Sequence, residues 1–371
     1  MYPHIFSPCN INGLVLPNRL TMAPLYLGYA AEGGAVSTLL LDHYRLMAQS
    51  GVALVVVENA TIDHPVGSGS NRTLRADSND YLEGLAALAQ VIKQEGARAC
   101  LQINHAGRFA GVAPQPVAPS AVDAFGRQPR ALSPDEIRDI VHQYGRAARR
   151  AKQAGFDMVE LHGGTGYLLA QFVSPRTNRR DDDYGGPLEN RQKFPLEVLA
   201  QVRAAVGDFP VGYRFLADEW LPDGLQLAES GRFAQALARS GISYLSVMGG
   251  TYESFFLPEI VEKSTQDGYM VELAAAIKAQ VKVPVITAGR IATGALAEEI
   301  IEQDKADLIG LARVLWADPH WPEKVRQGRE SEIIHCDPHC DTCMQMVMRG
   351  KPAFCVRWPV EKMQTWKTKF I

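Results

Sequence analysis

The chain has 371 residues, 46% hydrophobic and 21% charged, with a formal net charge of −3, a composition that can bury a large core without disulfide staples. So weak a charge offers no basic field for nucleic acid, and no uninterrupted apolar run approaches the roughly 20 residues of a membrane helix. The opening MYPHIFSPCNING lacks both the basic start and the apolar run of a signal peptide, so a cytoplasmic setting with reduced thiols is expected.

Short, β-branched apolar runs alternate with amphipathic stretches along the chain. Strands are expected at 20–23, 53–57, 99–103, 158–161, 211–215, 244–247, 285–287 and 308–311. The clearest helix begins at LSPDEIRDIVHQYGRAARRAKQAG. There Ser133 caps, Pro134 fits the first turn, Glu136 completes a capping box and Gly155 closes the helix. Ile137, Ile140, Val141, Tyr144, Ala148 and Ala151 share its apolar face. Eight strand-then-helix units predict a closed (β/α)8 TIM barrel over 1–330, with a doubly wound open sheet as the rival.

Barrels of this kind place their sites at the C-terminal ends of the strands. Tyr26, Asn59, Gln102 with His105, His162, Arg214, Gly249 with Gly250, Gly289 with Arg290, and Arg313 fall at or just past those ends. Any one of them reads as an ordinary loop or buried polar residue. Their recurrence in register argues for a ligand-binding mouth. VPVITAGRIAT carries Gly289 and Arg290 out of the seventh strand, and DLIGLARVLWADP carries Ala312 and Arg313 out of the eighth. Loops after these two strands commonly hold phosphate on backbone N–H groups, so a phosphorylated cofactor is expected.

The segment 331–371 is expected to be a cysteine-rich extension that binds a cluster. Cys336, Cys340, Cys343 and Cys355, four of the six cysteines, follow a C-x3-C-x2-C-x11-C spacing. Four thiolates suit an iron–sulfur cluster. Zinc is the alternative, with His335 or His339 able to replace a cysteine. Cys9 and Cys100 lie apart and read as apolar residues.

PNRLTMAPL, LQINHAGR, VELHGGTGYLLAQFVSPRTNRRDDDYGGPLENR, PVGYRF, VITAGR and DLIGLARVLWADPHWP occur in the order and spacing of the Old Yellow Enzyme family of FMN-dependent oxidoreductases. The resemblance runs from about Pro8 to Pro322. With its cysteine tail the chain resembles the barrel of the iron–sulfur branch that contains 2,4-dienoyl-CoA reductase and trimethylamine dehydrogenase. That resemblance implies FMN and a [4Fe–4S] cluster as cofactors. It places Pro24, Leu25 and Ala60 against the isoalloxazine, Gln102 at the pyrimidine edge and Arg214 near N1 and O2. Gly289, Arg290, Ala312 and Arg313 would hold the phosphate.

On the substrate side the resemblance makes His162 a binder of the substrate carbonyl and Tyr167 the proton donor. Thr165 stands where relatives carry a second polar partner, and Tyr26 where they often carry Cys, Thr or His beside flavin N5. His105 is expected to position its loop, and Glu189, Asn190 and Arg191 to fix a barrel loop. The tail departs from its relatives: Met346 and Val347 occupy positions where a third cysteine is expected, and Cys336 supplies the missing ligand. The implied activity is hydride exchange between FMN and an α,β-unsaturated acyl or carbonyl compound, such as an enoyl- or dienoyl-CoA. Electrons would pass through the cluster to a separate flavoprotein, ferredoxin or reductase subunit. Oxidative C–N cleavage of a small amine and a noncatalytic electron-transfer subunit are the alternatives.

Overall fold

The computed structural model describes residues 2–370, and the expected barrel closes. Strands β1 (Leu20–Met22), β2 (Leu54–Thr61), β3 (Arg98–Asn104), β4 (Met158–Gly163), β5 (Val211–Asp218), β6 (Tyr244–Gly249), β7 (Val285–Thr287) and β8 (Leu308–Leu311) pair in chain order, and β8 returns to β1. All pairings are parallel, which excludes the open doubly wound sheet. Strands buried on both faces need apolar residues throughout, and β2 is buried along its whole length. Strands β2 to β6 run further toward the barrel mouth than their apolar cores, since polar residues at the tip still complete the ladder. Asn59, Gln102, His162 and Arg214 therefore stand on strands rather than on loops.

The opposite end of the barrel is sealed. Strand segments Cys9–Ile11 and Leu14–Leu16 form an antiparallel hairpin. Its turn residues Asn12 and Gly13 take φ of +48° and +87°, the left-handed pair that a tight hairpin turn requires. Ile11 and Leu16 pack into the barrel interior with Leu54, Val56, Cys100, Met158, Tyr244 and Leu308. Cys100 is thus a core residue as expected, with its sulfur 3.6 Å from the Tyr244 hydroxyl. The polar strand tips lie at the other end.

Helices Thr38–Gln49, Leu82–Gln94, Pro134–Gln153, Lys193–Val206, Leu227–Arg239, Val271–Lys278 and Gly294–Glu302 wrap the barrel between successive strands. The capping box forms as read: Glu136 N donates to Ser133 Oγ at 3.3 Å, and Ser133 N donates to Glu136 Oε2 at 2.8 Å. Gly155 follows with φ of +86°.

The extension folds back onto the mouth through helices Thr342–Met348 and Val360–Phe370. Ala353 N donates to the Leu27 carbonyl at 2.9 Å, and the Tyr29 hydroxyl donates to the Ala353 carbonyl at 2.8 Å. Trp366 packs on Tyr29 and Trp358 with ring centroids 5.1 and 5.6 Å away. Phe354, Cys355, Trp358 and Trp366 belong to the same apolar cluster as the helices around the barrel. No helix among the described residues is long and apolar enough to cross a membrane.

Candidate functional site

Barrel register builds the first part of the site. His162 on β4 pairs with Arg214 on β5, which pairs with Ser246 on β6, so the three form one row across adjacent strands. Arg214 Nη1 donates to Ser246 Oγ at 2.8 Å. Beyond that row lies a cavity of about 130 Å³ lined by Pro24, Arg214, Tyr269, Gly289, Arg290, Ala312 and Arg313, among others. Three guanidinium groups face it, and no carboxylate of the described residues lines it. Such a cavity selects an anion.

The glycines of this cradle have a geometric purpose. Gly289 has φ of +105°, and a Cβ there would stand 3.1 Å from the Met270 side chain. At Gly310 a Cβ would stand 3.1 Å from the Thr287 carbonyl. Both positions pack tightly against protein neighbours, and Gly289 also takes a positive φ that favours glycine. The donor set therefore fits a phosphorylated, anionic cofactor such as FMN. Leu25 and Ala60 do not line this cavity.

Gln102 is committed inward. Its Nε2 donates to Glu160 Oε1 at 2.8 Å, while the Tyr244 hydroxyl donates to Glu160 Oε2 at 2.9 Å. Burial raises the Glu160 pKa, and Arg214 opposes that shift. One of the two Gln102 amide hydrogens is thus used inside the barrel, and its oxygen and second hydrogen remain for a ligand.

Above this layer His162 and Tyr167 form the second part. Gly164 N donates to His162 Nδ1 at 3.2 Å. Burial, reinforced by Arg214, pushes the imidazole pKa far down. With Nδ1 accepting, the neutral ring carries its proton on Nε2, where it can donate to an oxygen. The Tyr167 ring lies 4.8 Å from it, edge-on. The Tyr167 hydroxyl is 2.7 Å from that of Tyr252 and accepts from Asn59 Nδ2 at 3.4 Å. Burial raises the pKa of Tyr167 well above the ordinary phenol value.

Tyr26 and Thr165 point their polar atoms elsewhere. The Tyr26 hydroxyl bonds Ser70 Oγ at 2.5 Å, and burial raises its pKa to about 12. Thr165, at φ of +59°, directs its hydroxyl to Met248 Sδ at 3.6 Å. His105 is buried, with Gly107 N donating to its Nδ1 at 3.0 Å, in keeping with a loop-positioning role. Buried Arg191 ties Gly186 and Val173 carbonyls to Glu229, which fixes its loop. Sequence position places Asn59 at the mouth but assigns no role to Ser246, Tyr252 or Tyr269. A strand-by-strand register would have found Ser246 beside Arg214.

In the extension, Cys336, Cys340, Cys343 and Cys355 line one cleft together with Arg313, Trp316, Phe354 and Arg357. Burial raises the thiol pKa of Cys343 and Cys355, and both feel Cys336 and Cys340 as nearby negative groups. Nowhere among the described residues do three His, Cys, Asp or Glu side chains converge closely enough to hold a metal ion. His335 and His339 are both exposed. The thiols surround a cleft instead of meeting at a point.

Residues 4–332 match the family model described as the NADH:flavin oxidoreductase / NADH oxidase family. The chain is 43% identical over 343 residues to an NADH oxidase of Thermoanaerobacter brockii, covering 90% of this chain and 52% of that protein. Its fold matches a 2-naphthoyl-CoA reductase with a TM-score of 0.92 at 29% identity, covering 97% of this chain and 57% of that one. It also matches histamine dehydrogenase from Rhizobium sp. 4-9, with a TM-score of 0.85 at 28% identity, covering 96% and 52%. The chain spans about half the length of these proteins. With its closed barrel and arginine-lined cavity, the chain belongs to the NADH:flavin oxidoreductase / NADH oxidase family, the FMN-dependent oxidoreductases of the Old Yellow Enzyme type.

Proposed function

We propose that the chain carries an ene-reductase or dehydrogenase site acting on a C=C bond activated by an acyl or carbonyl group, with an enoyl- or dienoyl-CoA as the fitting substrate class. The observation that carries this reading is the His162–Tyr167 pair at the barrel mouth. When bound, FMN supplies the hydride chemistry. His162 offers an Nε2–H to the substrate carbonyl oxygen, where negative charge builds up in the transition state. Being neutral and buried, it polarises that oxygen without giving up its own proton. Tyr167 sits next to it and donates a proton to the α-carbon. The Tyr252 hydroxyl and the Asn59 amide are then placed to donate to the phenolate oxygen left behind. Thr165, engaged with Met248, leaves carbonyl binding mainly to His162.

Pro24, Arg214, Gly289, Arg290, Ala312 and Arg313 would hold FMN in the arginine-lined cavity, with Gln102 reaching it through its free amide atoms. The four cysteines would hold a [4Fe–4S] cluster, a group large enough to use thiols spread around a cleft. In this reading 1–330 is the flavin barrel and 331–371 the cluster-binding extension, and a separate flavoprotein, ferredoxin or reductase subunit exchanges single electrons there. Substituting Tyr167→Phe should slow oxidation of the reduced flavin by an enoyl substrate about 10²-fold or more with flavin content unchanged. An unaltered rate across pH in anaerobic stopped flow would remove Tyr167 from the reaction.

A second reading is amine oxidation, favoured by the aromatic wall of Phe109, Tyr167 and Tyr252, whose ring centroids lie 5.2 to 6.5 Å apart. Such walls bind cationic amines. Flavin reduction by an amine alone, with no nicotinamide donor, would select it.

A further inference from the structure

The flavin cavity and the cysteine cleft share residues. Arg313 and Cys336 line both. Arg290 lines the barrel cavity, yet its guanidinium is also spent on the chain around it. Its Nε donates to the Ser264 carbonyl at 3.1 Å, and its Nη1 donates to the Cys336 carbonyl at 3.0 Å. Arg290 itself holds φ of +52°, a left-handed conformation uncommon for a side chain of its size. The backbone is bent there so that one guanidinium reaches a cavity wall, a neighbouring loop and the first cysteine of the extension.

We infer that Arg290, assisted by Arg313, is a positioning residue that couples the phosphate end of the flavin cavity to the cysteine cleft, so that a phosphorylated flavin and the metal group each tighten binding of the other. The inference rests on the cofactor assignment above. An anion in the cavity draws both guanidinium groups into one orientation. Arg290 in that orientation fixes the Cys336 carbonyl, and with it one wall of the cleft. Loading the cleft fixes Cys336 from the other side and presets Arg290 for the phosphate. Linkage makes the two effects equal in free energy. Riboflavin, which lacks the phosphate, should be almost blind to the metal.

The test uses the full chain, stripped of flavin and iron and then divided. One half is reconstituted with iron and sulfide, and FMN and riboflavin are titrated into both halves by quenching of flavin fluorescence. The expected result is that iron loading tightens FMN by roughly 5- to 150-fold and riboflavin by far less. In the metal-free half, FMN but not riboflavin should also slow alkylation of Cys336 and Cys343, read by mass spectrometry. Arg290→Lys keeps the positive charge but loses the planar fork that reaches two carbonyls at once. Because Arg290 also lines the flavin cavity, FMN should weaken in both halves, and the readout is the ratio between them, which should collapse toward one. A wild-type ratio of one, with both groups bound, overturns the coupling and leaves the cofactor assignment standing. A ratio equal for FMN and riboflavin also overturns it, because the phosphate is then not the messenger. Failure of FMN or iron to bind at all overturns the coupling and the assignment together.

Discussion

Arg214 stands in the middle of a closed ladder, with His162 on one side and Ser246 on the other. Cys336 to Cys355 are instead placed by scattered ties: the Arg290 guanidinium, the Leu27 carbonyl, the Tyr29 hydroxyl and tryptophans that meet edge-on. The barrel mouth is preorganised by a scaffold that must form for the chain to fold at all. The cleft is organised by side chains and loops, and among the described residues its thiols do not meet at one point. The difference teaches where each ligand's binding free energy goes. An anion entering the barrel meets Arg214 already held in the ladder against Ser246, whereas a cluster entering the cleft must draw its ligands together.

The sharpest way to break this comparison is Cys340→Ser. It should abolish iron retention and partner-driven turnover while FMN, held more weakly without the metal group, still binds when supplied in excess and is reducible by dithionite. If the iron-free variant turns over at the wild-type rate with NAD(P)H as sole donor, the cleft is not an electron port. Next comes Arg214→Ala, which removes a charged donor from the cavity and should weaken FMN about 10- to 100-fold, the range for a charge-assisted hydrogen bond. Unchanged affinity in the metal-free protein would place the flavin elsewhere.

The barrel's buried titratable groups also give its stability a pH dependence. Glu58, near the tip of β2, is buried with one oxygen accepting from Leu27 N at 3.3 Å and the other without a partner. Burial raises its pKa from 4.5 to about 8. The folded chain therefore keeps a proton that the unfolded chain has lost, so Glu58 costs stability as pH rises from about 4.5 to about 8, by about 1.4 kcal/mol per pH unit. Buried His43 and His105, lowered by burial to about 3, act in the opposite sense and cost stability as pH falls below 6.5. Glu58→Gln should flatten the loss between pH 6.5 and 8 in urea unfolding. An identical slope in wild type and variant would contradict the buried-acid account. The smallest effect belongs to the barrel's outer layer: Glu136→Ala removes half of the capping box, should cost about 1 kcal/mol and should leave flavin and iron content unchanged. A loss of either cofactor would show that the helix layer and the site are coupled.

The barrel was legible because each apolar run is short, β-branched and followed by an amphipathic helix, and parallel strands buried on both faces leave that mark. Strand ends were legible to within a few residues, so Arg214, His162 and the Gly289 and Ala312 loops could be placed at the mouth. What could not be read is which polar atom each residue has to spare. Gln102 answers to Glu160 and Thr165 to Met248, contacts between strands or loops far apart in sequence. Tyr252 meets Tyr167 only because the loop after β6 folds over the mouth. The cysteine spacing announced a cluster of thiols, but the tie from Arg290 to Cys336 spans 46 residues and leaves no trace in spacing.

The account is tested most directly by the visible spectrum of the purified protein, measured with its flavin, iron and acid-labile sulfide content. It predicts noncovalent FMN released on heating, about one per chain, with roughly four iron and four sulfide that disappear in Cys340→Ser. A protein that releases no flavin and takes up no added FMN would contradict it.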